Sequence, residues 1–228
     1  LKSPNPSTSP FKRLWLLALV GGASLAYYRL VRAQLLTFGC QHGESDQALV
    51  GDEIIMHPHL TLIHAQTIHA PLEVVWPWLA QMGREHVGLY VWDSIYNQGV
   101  RSAANLRPDL PRLAVGMRLN CGLQVLAQEF QQHLVIGGFN LPNSLGQAYD
   151  ITYSYHLTRP APTQTRLLLR IRLYAYGLSG LVYPTLAEPF YAAQAHLQLG
   201  ALADRAQAHK AEVVRSKEKA NGHQPIHL

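Results

Sequence analysis

The sequence predicts an α+β fold in which a curved antiparallel sheet wraps a long C-terminal helix. Two short helices should follow the first strand, and a transmembrane helix should precede the domain. Three observations carry this prediction. Residues 149–157 and 166–175 alternate apolar and polar at period two, as half-buried strands do. Tyr191, Ala195, Leu199, Leu202 and Ala206 make a narrow stripe at helical spacing within 189–211. The order of elements leaves an apolar sheet face that the last helix is placed to cover. A cavity between sheet and helix is inferred from that order.

The N-terminus is set apart by charge. Residues 1–33 hold Lys2, Lys12, Arg13, Arg29 and Arg32 with no acid, whereas the remaining chain holds 14 basic and 14 acidic residues. A neutral body lacks the basic stripe that a nucleic-acid surface needs, so no nucleic-acid partner is expected. "LWLLALVGGASLAYY", residues 14–28, carries no charge. As a helix it rises about 22 Å, short of the roughly 30 Å hydrocarbon core, but flanking arginines can snorkel. A single-pass membrane anchor over 14–33 is the leading reading. A secretory signal cleaved near Ser24-Leu25-Ala26, and a buried core helix, remain open. Three bases precede the segment and two follow it, which leaves its orientation undecided.

The other elements follow in order. "LKSPNPSTSP" opens a disordered stretch over 1–13, and 34–56 reads as a juxtamembrane segment and polar linker. The domain should occupy 57–212, with 213–228 a solvated tail. "LTLIHAQTIH", 60–69, is the first strand, with Leu60, Leu62, His64, Gln66 and Ile68 on one face. "EVVWPWLAQMG", 73–83, has helical periodicity interrupted by Pro77, and predicts two short helical pieces with a break between Trp76 and Trp78. Residues 83–111 are irregular apart from a short helix at "WDSIYNQ". "LQVLAQE" and "HLVIGGF" form a hairpin joined through Gln131 and Gln132. In 149–157 the residues Tyr149, Ile151, Tyr153, Tyr155 and Leu157 share one face, opposite Asp150, Thr152, Ser154 and His156.

Several chemistries lack their signatures. Cys40 and Cys121 have no metal-type spacing, and "HPHLTLIHAQTIH" spreads its histidines along an extended segment, His59 and His69 about 33 Å apart. No nucleophile elbow, P-loop or dinucleotide fingerprint occurs. No cofactor or metal is implied.

"GDEIIMHPHLTLIHAQTIHAPLEVVWPWLAQMGREHVGLYVWDSIYN" resembles the opening of SRPBCC proteins, the START-like or Bet v 1-like helix-grip superfamily related to polyketide cyclases and dehydrases. The pairing of "APLEVVWPWLAQMG" with a following "YVWD" is similar to an uncharacterised bacterial branch, over roughly residues 38–210. The resemblance implies a strand, two short helices, a six-stranded antiparallel sheet and a long C-terminal helix around an apolar pocket. It also implies an N-terminal hydrophobic segment. Tyr90, Asp93, Asn97, Ser102 and Ala103 match that branch, whereas Val87, Tyr96 and Asn105 depart from it, the last replacing an acid.

The candidate site residues fall in three places. "REHVGLYVWDSIYNQGVR", 84–101, offers Asp93 or His86 as acid or base with Tyr90 as proton donor on a carbonyl substrate. The leading reading of the same residues is structural, with Asp93 pairing with Arg101 or capping the short helix while the aromatics pack, and anchoring of a polar ligand group is the next. Trp76, Trp78, Tyr90, Trp92, Asp93, Tyr96 and Arg101 would line the mouth of the pocket, and Tyr149, Tyr153 and Tyr155 its wall. The expected function is non-catalytic binding of a hydrophobic small molecule or lipid by a membrane-anchored, monomeric domain. The alternatives are a cyclase- or dehydratase-like enzyme, and a protein-interaction module whose cavity is filled by side chains.

Overall fold

The computed structural model describes residues 10–221; the stretches 1–9 and 222–228, both within segments expected to be disordered, lie outside the described residues. Helix α1 (Pro10–Ala26) runs through a π-helical turn (Tyr27–Val31) into α2 (Arg32–Leu36). After an irregular segment come β1 (Leu60–Ile68), α3 (Leu72–Gln81) and α4 (Asp93–Tyr96), then β2 (Gln124–Glu129), β3 (His133–Pro142), β4 (Ala148–Ala161), β5 (Gln164–Ala175) and α5 (Ser179–Asn221). The sheet is antiparallel throughout, in the order β1-β5-β4-β3-β2. Among the described residues it has five strands where the resemblance implied six. Residues 97–119, which hold Pro108, Pro111 and Gly116, stay irregular and meet the sheet edge at β2 through an isolated bridge, Arg118 to Gln124, and backbone hydrogen bonds from Gly116 to Val125 O and from Val125 to Met117 O.

The register confirms the alternation. Leu60, Leu62 and His64 of β1 face Leu173, Ile171 and Leu169 of β5, and Ile151, Tyr153 and Tyr155 of β4 face the same three residues from the other side. Helix α5 lies across this apolar face, and all five residues of the predicted stripe are buried there. The helix starts ten residues before Pro189 and continues past 212, so Pro184 and Pro189 both fall inside it. Its first turn is fastened by Gln147 Oε1, which accepts the Ser179 N–H at 2.7 Å, and by Ser179 Oγ, which donates to Tyr176 O at 2.7 Å.

The break predicted at Pro77 is absent: α3 is continuous, with Pro77 inside it. Proline removes the bond to Glu73 O at a cost of about 3 kcal/mol. Leu72, Val75, Trp76, Trp78 and Leu79 are all buried on the same ten-residue helix. At about 1.5–3 kcal/mol for each large apolar side chain, that burial outweighs the lost bond.

The opposite, polar face of the sheet is covered rather than solvated. The segment expected to be a linker crosses it as a strap over residues 37–56. Arg166 Nη2 pairs with Glu44 at 2.5 Å and donates to Gly39 O at 2.7 Å, while Arg170 and Arg172 both pair with Asp52, at 2.5 and 3.1 Å. Gly39 (φ +75°) lies against the Ala65 carbonyl and Gly51 (φ +100°) against Ser154 and Val135, so a side chain at either would collide. Leu49 packs with Ile63, Ala65 and Leu168 as a small second core under the strap.

The Arg166 guanidinium holds the Glu44 carboxyl below its ordinary value of 4.5. A carboxyl depressed in the folded state stabilises it above the unfolded pKa and loses that contribution as pH falls through the folded one. Amide hydrogen exchange in residues 40–56 should therefore accelerate below about pH 4.5 relative to the β4–β5 ladder. Glu44→Gln should already exchange fast at neutral pH and show no such acid step.

The single-pass anchor is corrected. Among the described residues no helix is long and apolar enough to cross a membrane. Helix α1 has 17 residues, a rise of about 25 Å. Its continuation changes to π geometry at Tyr27 and carries Arg29 and Arg32. Arg32 is committed to the domain: its Nη2 and Nε donate to Glu188 Oε1 at 2.6 and 2.9 Å, and Tyr27 Oη donates to Glu188 Oε2 at 3.0 Å. Glu188 is a buried carboxylate on α5, so this contact ties the N-terminal helices to the body of the fold.

Candidate functional site

Helix α3 forms one wall of an open groove of about 740 Å³. Trp76, Pro77, Ala80, Gln81 and Arg84 line that wall, residues 106–108 and 110–113 line the facing one, and Gln128 and Phe130 at the end of β2 close the side. The two walls are held together by Gln81. Its Oε1 accepts the Arg107 N–H at 2.9 Å, and its Nε2 donates to Tyr90 Oη at 2.9 Å. Arg84 Nη2 donates to Pro111 O at 2.6 Å, a second tie across the groove. Exposed Phe130 meets buried Trp76 edge-to-face, ring centres 5.6 Å apart. A smaller groove of about 530 Å³ lies on the far side of the 104–106 loop, between Trp78 and the α5 residues Asp204, Arg205, Ala208, His209 and Glu212.

The 84–101 segment packs between α3 and α5, with its polar atoms engaged internally. Tyr90 has φ +62° and Trp92 φ +44°, left-handed backbone that bulky residues avoid at about 1–2 kcal/mol each. Tyr90 Oη donates to Trp78 O at 2.9 Å, and the Arg205 guanidinium stacks 4.5 Å over its ring. Burial raises the Tyr90 pKa well above the ordinary value, which opposes an anionic role. Asp93 accepts from the Ser102 N–H at 2.8 Å and the Ser102 hydroxyl at 2.5 Å. Arg101 is exposed and, among the described residues, forms no ion pair, so Asp93 pairs with Ser102 and not with Arg101. His86 is exposed. The three candidate catalytic side chains share no partner and line none of the surface concavities described.

The space between the sheet and α5 is occupied by side chains. Tyr155 Oη donates to Gln198 Oε1 at 2.8 Å, and Gln198 Nε2 donates to Leu89 O at 2.9 Å. Tyr96 Oη donates to Gln194 Oε1 at 2.8 Å, and Gln194 Nε2 reaches Tyr153 Oη at 3.4 Å. Burial pushes the pKa of Tyr96, Tyr153, Tyr155 and Tyr191 upward, so all four are neutral hydroxyls. Tyr149 packs against Tyr183 at 5.6 Å, and Trp92 against Phe190 at 4.5 Å and Tyr96 at 6.5 Å. Tyr149, Tyr153, Tyr155, Trp92, Tyr96 and Arg101 line neither of the two grooves. Of the residues read from the sequence, Trp76 lines the larger groove and Trp78 the smaller.

No family model matches the chain, and no curated protein matches it in sequence. Among solved structures it is similar to a hypothetical protein, jhp0584, from Helicobacter pylori (12% identity, 70% of this chain and 96% of that one, TM-score 0.48). It is also similar to a protein from Nitrosospira multiformis (14% identity, 67% and 99%, TM-score 0.44) and to MLL2253 from Mesorhizobium loti (18% identity, 65% and 98%, TM-score 0.41). At such values the likeness bears on neither activity nor ligand.

Gln81, Arg84, Phe130 and the 106–113 loop were not legible as a site, because the groove is assembled from three separated segments. Gln194 and Gln198 did leave a signal: they interrupt the apolar stripe of α5 at a spacing of one helical turn. The groove offers apolar area and cationic donors, and no base, nucleophile or carboxylate.

Proposed function

We propose that this chain is a non-catalytic binding domain of the helix-grip type, related to the SRPBCC superfamily, that takes up a hydrophobic small molecule. The observation that carries the reading is the groove beside α3. Its volume falls within the roughly 300–1,000 Å³ range of small-molecule sites, and aromatic and aliphatic side chains make up much of its lining. The sheet–helix interior is packed with tyrosine and glutamine side chains, which is why the ligand is assigned to this groove.

Neutral Nile red tests the proposal. Its fluorescence should rise and shift to the blue with the wild-type chain. Ala80→Trp, which fills the groove from a partly exposed position, should abolish the rise without moving the thermal midpoint. An unchanged signal in Ala80→Trp would place uptake elsewhere and sink the assignment. A second reading, a protein-interaction module, is favoured by the filled interior; it predicts no probe uptake by the wild type.

A further inference from the structure

The lining of the larger groove contains three arginines, Arg84, Arg107 and Arg112, and no acid. Arg107 is neutralised by Asp109 at 2.6 Å, and Arg112 is exposed to solvent. Arg84 is different. It is 7% exposed, and among the described residues it has no ion-pair partner. Of its five N–H donors, the single bond formed is that from Nη2 to Pro111 O. Its pKa is lowered, chiefly by burial, with exposed Glu85 the one acid acting against that. Its Nε and Nη1 carry no protein partner and keep contact with solvent, and the side chain lines the groove without a counter-charge, an arrangement open to an arriving anion.

The rest of the lining supplies the other half of the ligand. Trp76, Pro77, Leu106, Leu110, Leu113 and Phe130 form an apolar surface continuous with Arg84. We infer that the groove takes an amphipathic monocarboxylate, its carboxylate held by the Arg84 guanidinium and its apolar body laid against Trp76 and Phe130. One buried unpaired cation matches one negative charge, and the planar fork of arginine matches the two oxygens of a carboxylate. This inference rests on the groove being the ligand site.

Isothermal titration of the full chain with naphthoate, naphthylmethanol and naphthyl phosphate separates the two claims. Naphthoate should bind at least about tenfold more tightly than the neutral alcohol of the same shape. Arg84→Gln should bring the two affinities together by weakening the acid alone, and Ala80→Trp should remove both. Equal binding of acid and alcohol by the wild type would overturn the anion inference and leave the groove reading standing. Absence of binding by either probe, or binding that survives Ala80→Trp, overturns both. Tighter binding of the phosphate than of the carboxylate overturns the assignment to a monocarboxylate. The wild-type comparison decides the matter even where Arg84→Gln does not fold.

Discussion

Asp52→Ala is expected to lower the thermal midpoint by roughly 6–12 °C, from a loss of about 3 kcal/mol. Asp52 holds the strap to the sheet: its carboxylate pairs with Arg170 and Arg172, and Oδ2 accepts the Leu49 N–H at 2.9 Å. The Arg170 side chain is 5% exposed. Without its partner it becomes an unpaired buried cation, and that penalty, more than the lost attraction, sets the size of the effect. The exposed pair Arg107–Asp109 is the control, since surface pairs contribute little. Asp109→Ala should leave the midpoint unchanged. Differential scanning calorimetry on both variants is the check, and equal effects at the two sites would show that the strap is not a structural part of the domain.

The second large effect is expected at Gln198. Gln198→Ala leaves the Tyr155 hydroxyl and the Leu89 carbonyl buried without partners and opens a void, a loss of about 3–5 kcal/mol by chemical denaturation. Tyr155→Phe together with Gln198→Leu should cost clearly less than Gln198→Ala alone. Removing both ends of a hydrogen bond with shape retained avoids the orphaned hydroxyl. If the double variant were the less stable of the two, the buried network would be worth more than its desolvation cost, and its role would exceed filling the interior.

Both predictions concern features that sequence reasoning saw in halves. The even-numbered residues of β5, Arg166, Arg170 and Arg172, alternate with its apolar residues as a polar face, and their spacing does not say what covers it. The acids that neutralise them, Glu44 and Asp52, lie more than 110 positions earlier in a segment with no periodicity. Nothing local in "QHGESDQALVGDE" marks it as a strap, because its backbone is shaped by glycine turns and by guanidinium donors from the far end of the chain. Pro77 misled in the other direction. The local penalty was read correctly, and the larger gain from burying five side chains of α3 was not visible. The N-terminal helix shows the same imbalance: an uncharged run suggested a span, whereas Arg32 is held by Glu188.

What local order was enough to specify is the class of the fold. Alternation at period two in β4 and β5 and the stripe on α5 are properties of neighbouring residues, and the hydrophobic effect converts them into a sheet face and a helix face that must meet. Which space stays open depended on the folded arrangement. Tyr155 and Gln198 fill the interior because their tips can satisfy one another across it. The groove opens beside α3 because Gln81 and Arg84 hold the 106–113 loop by its backbone, and the other donors of the Arg84 guanidinium are left without a protein partner.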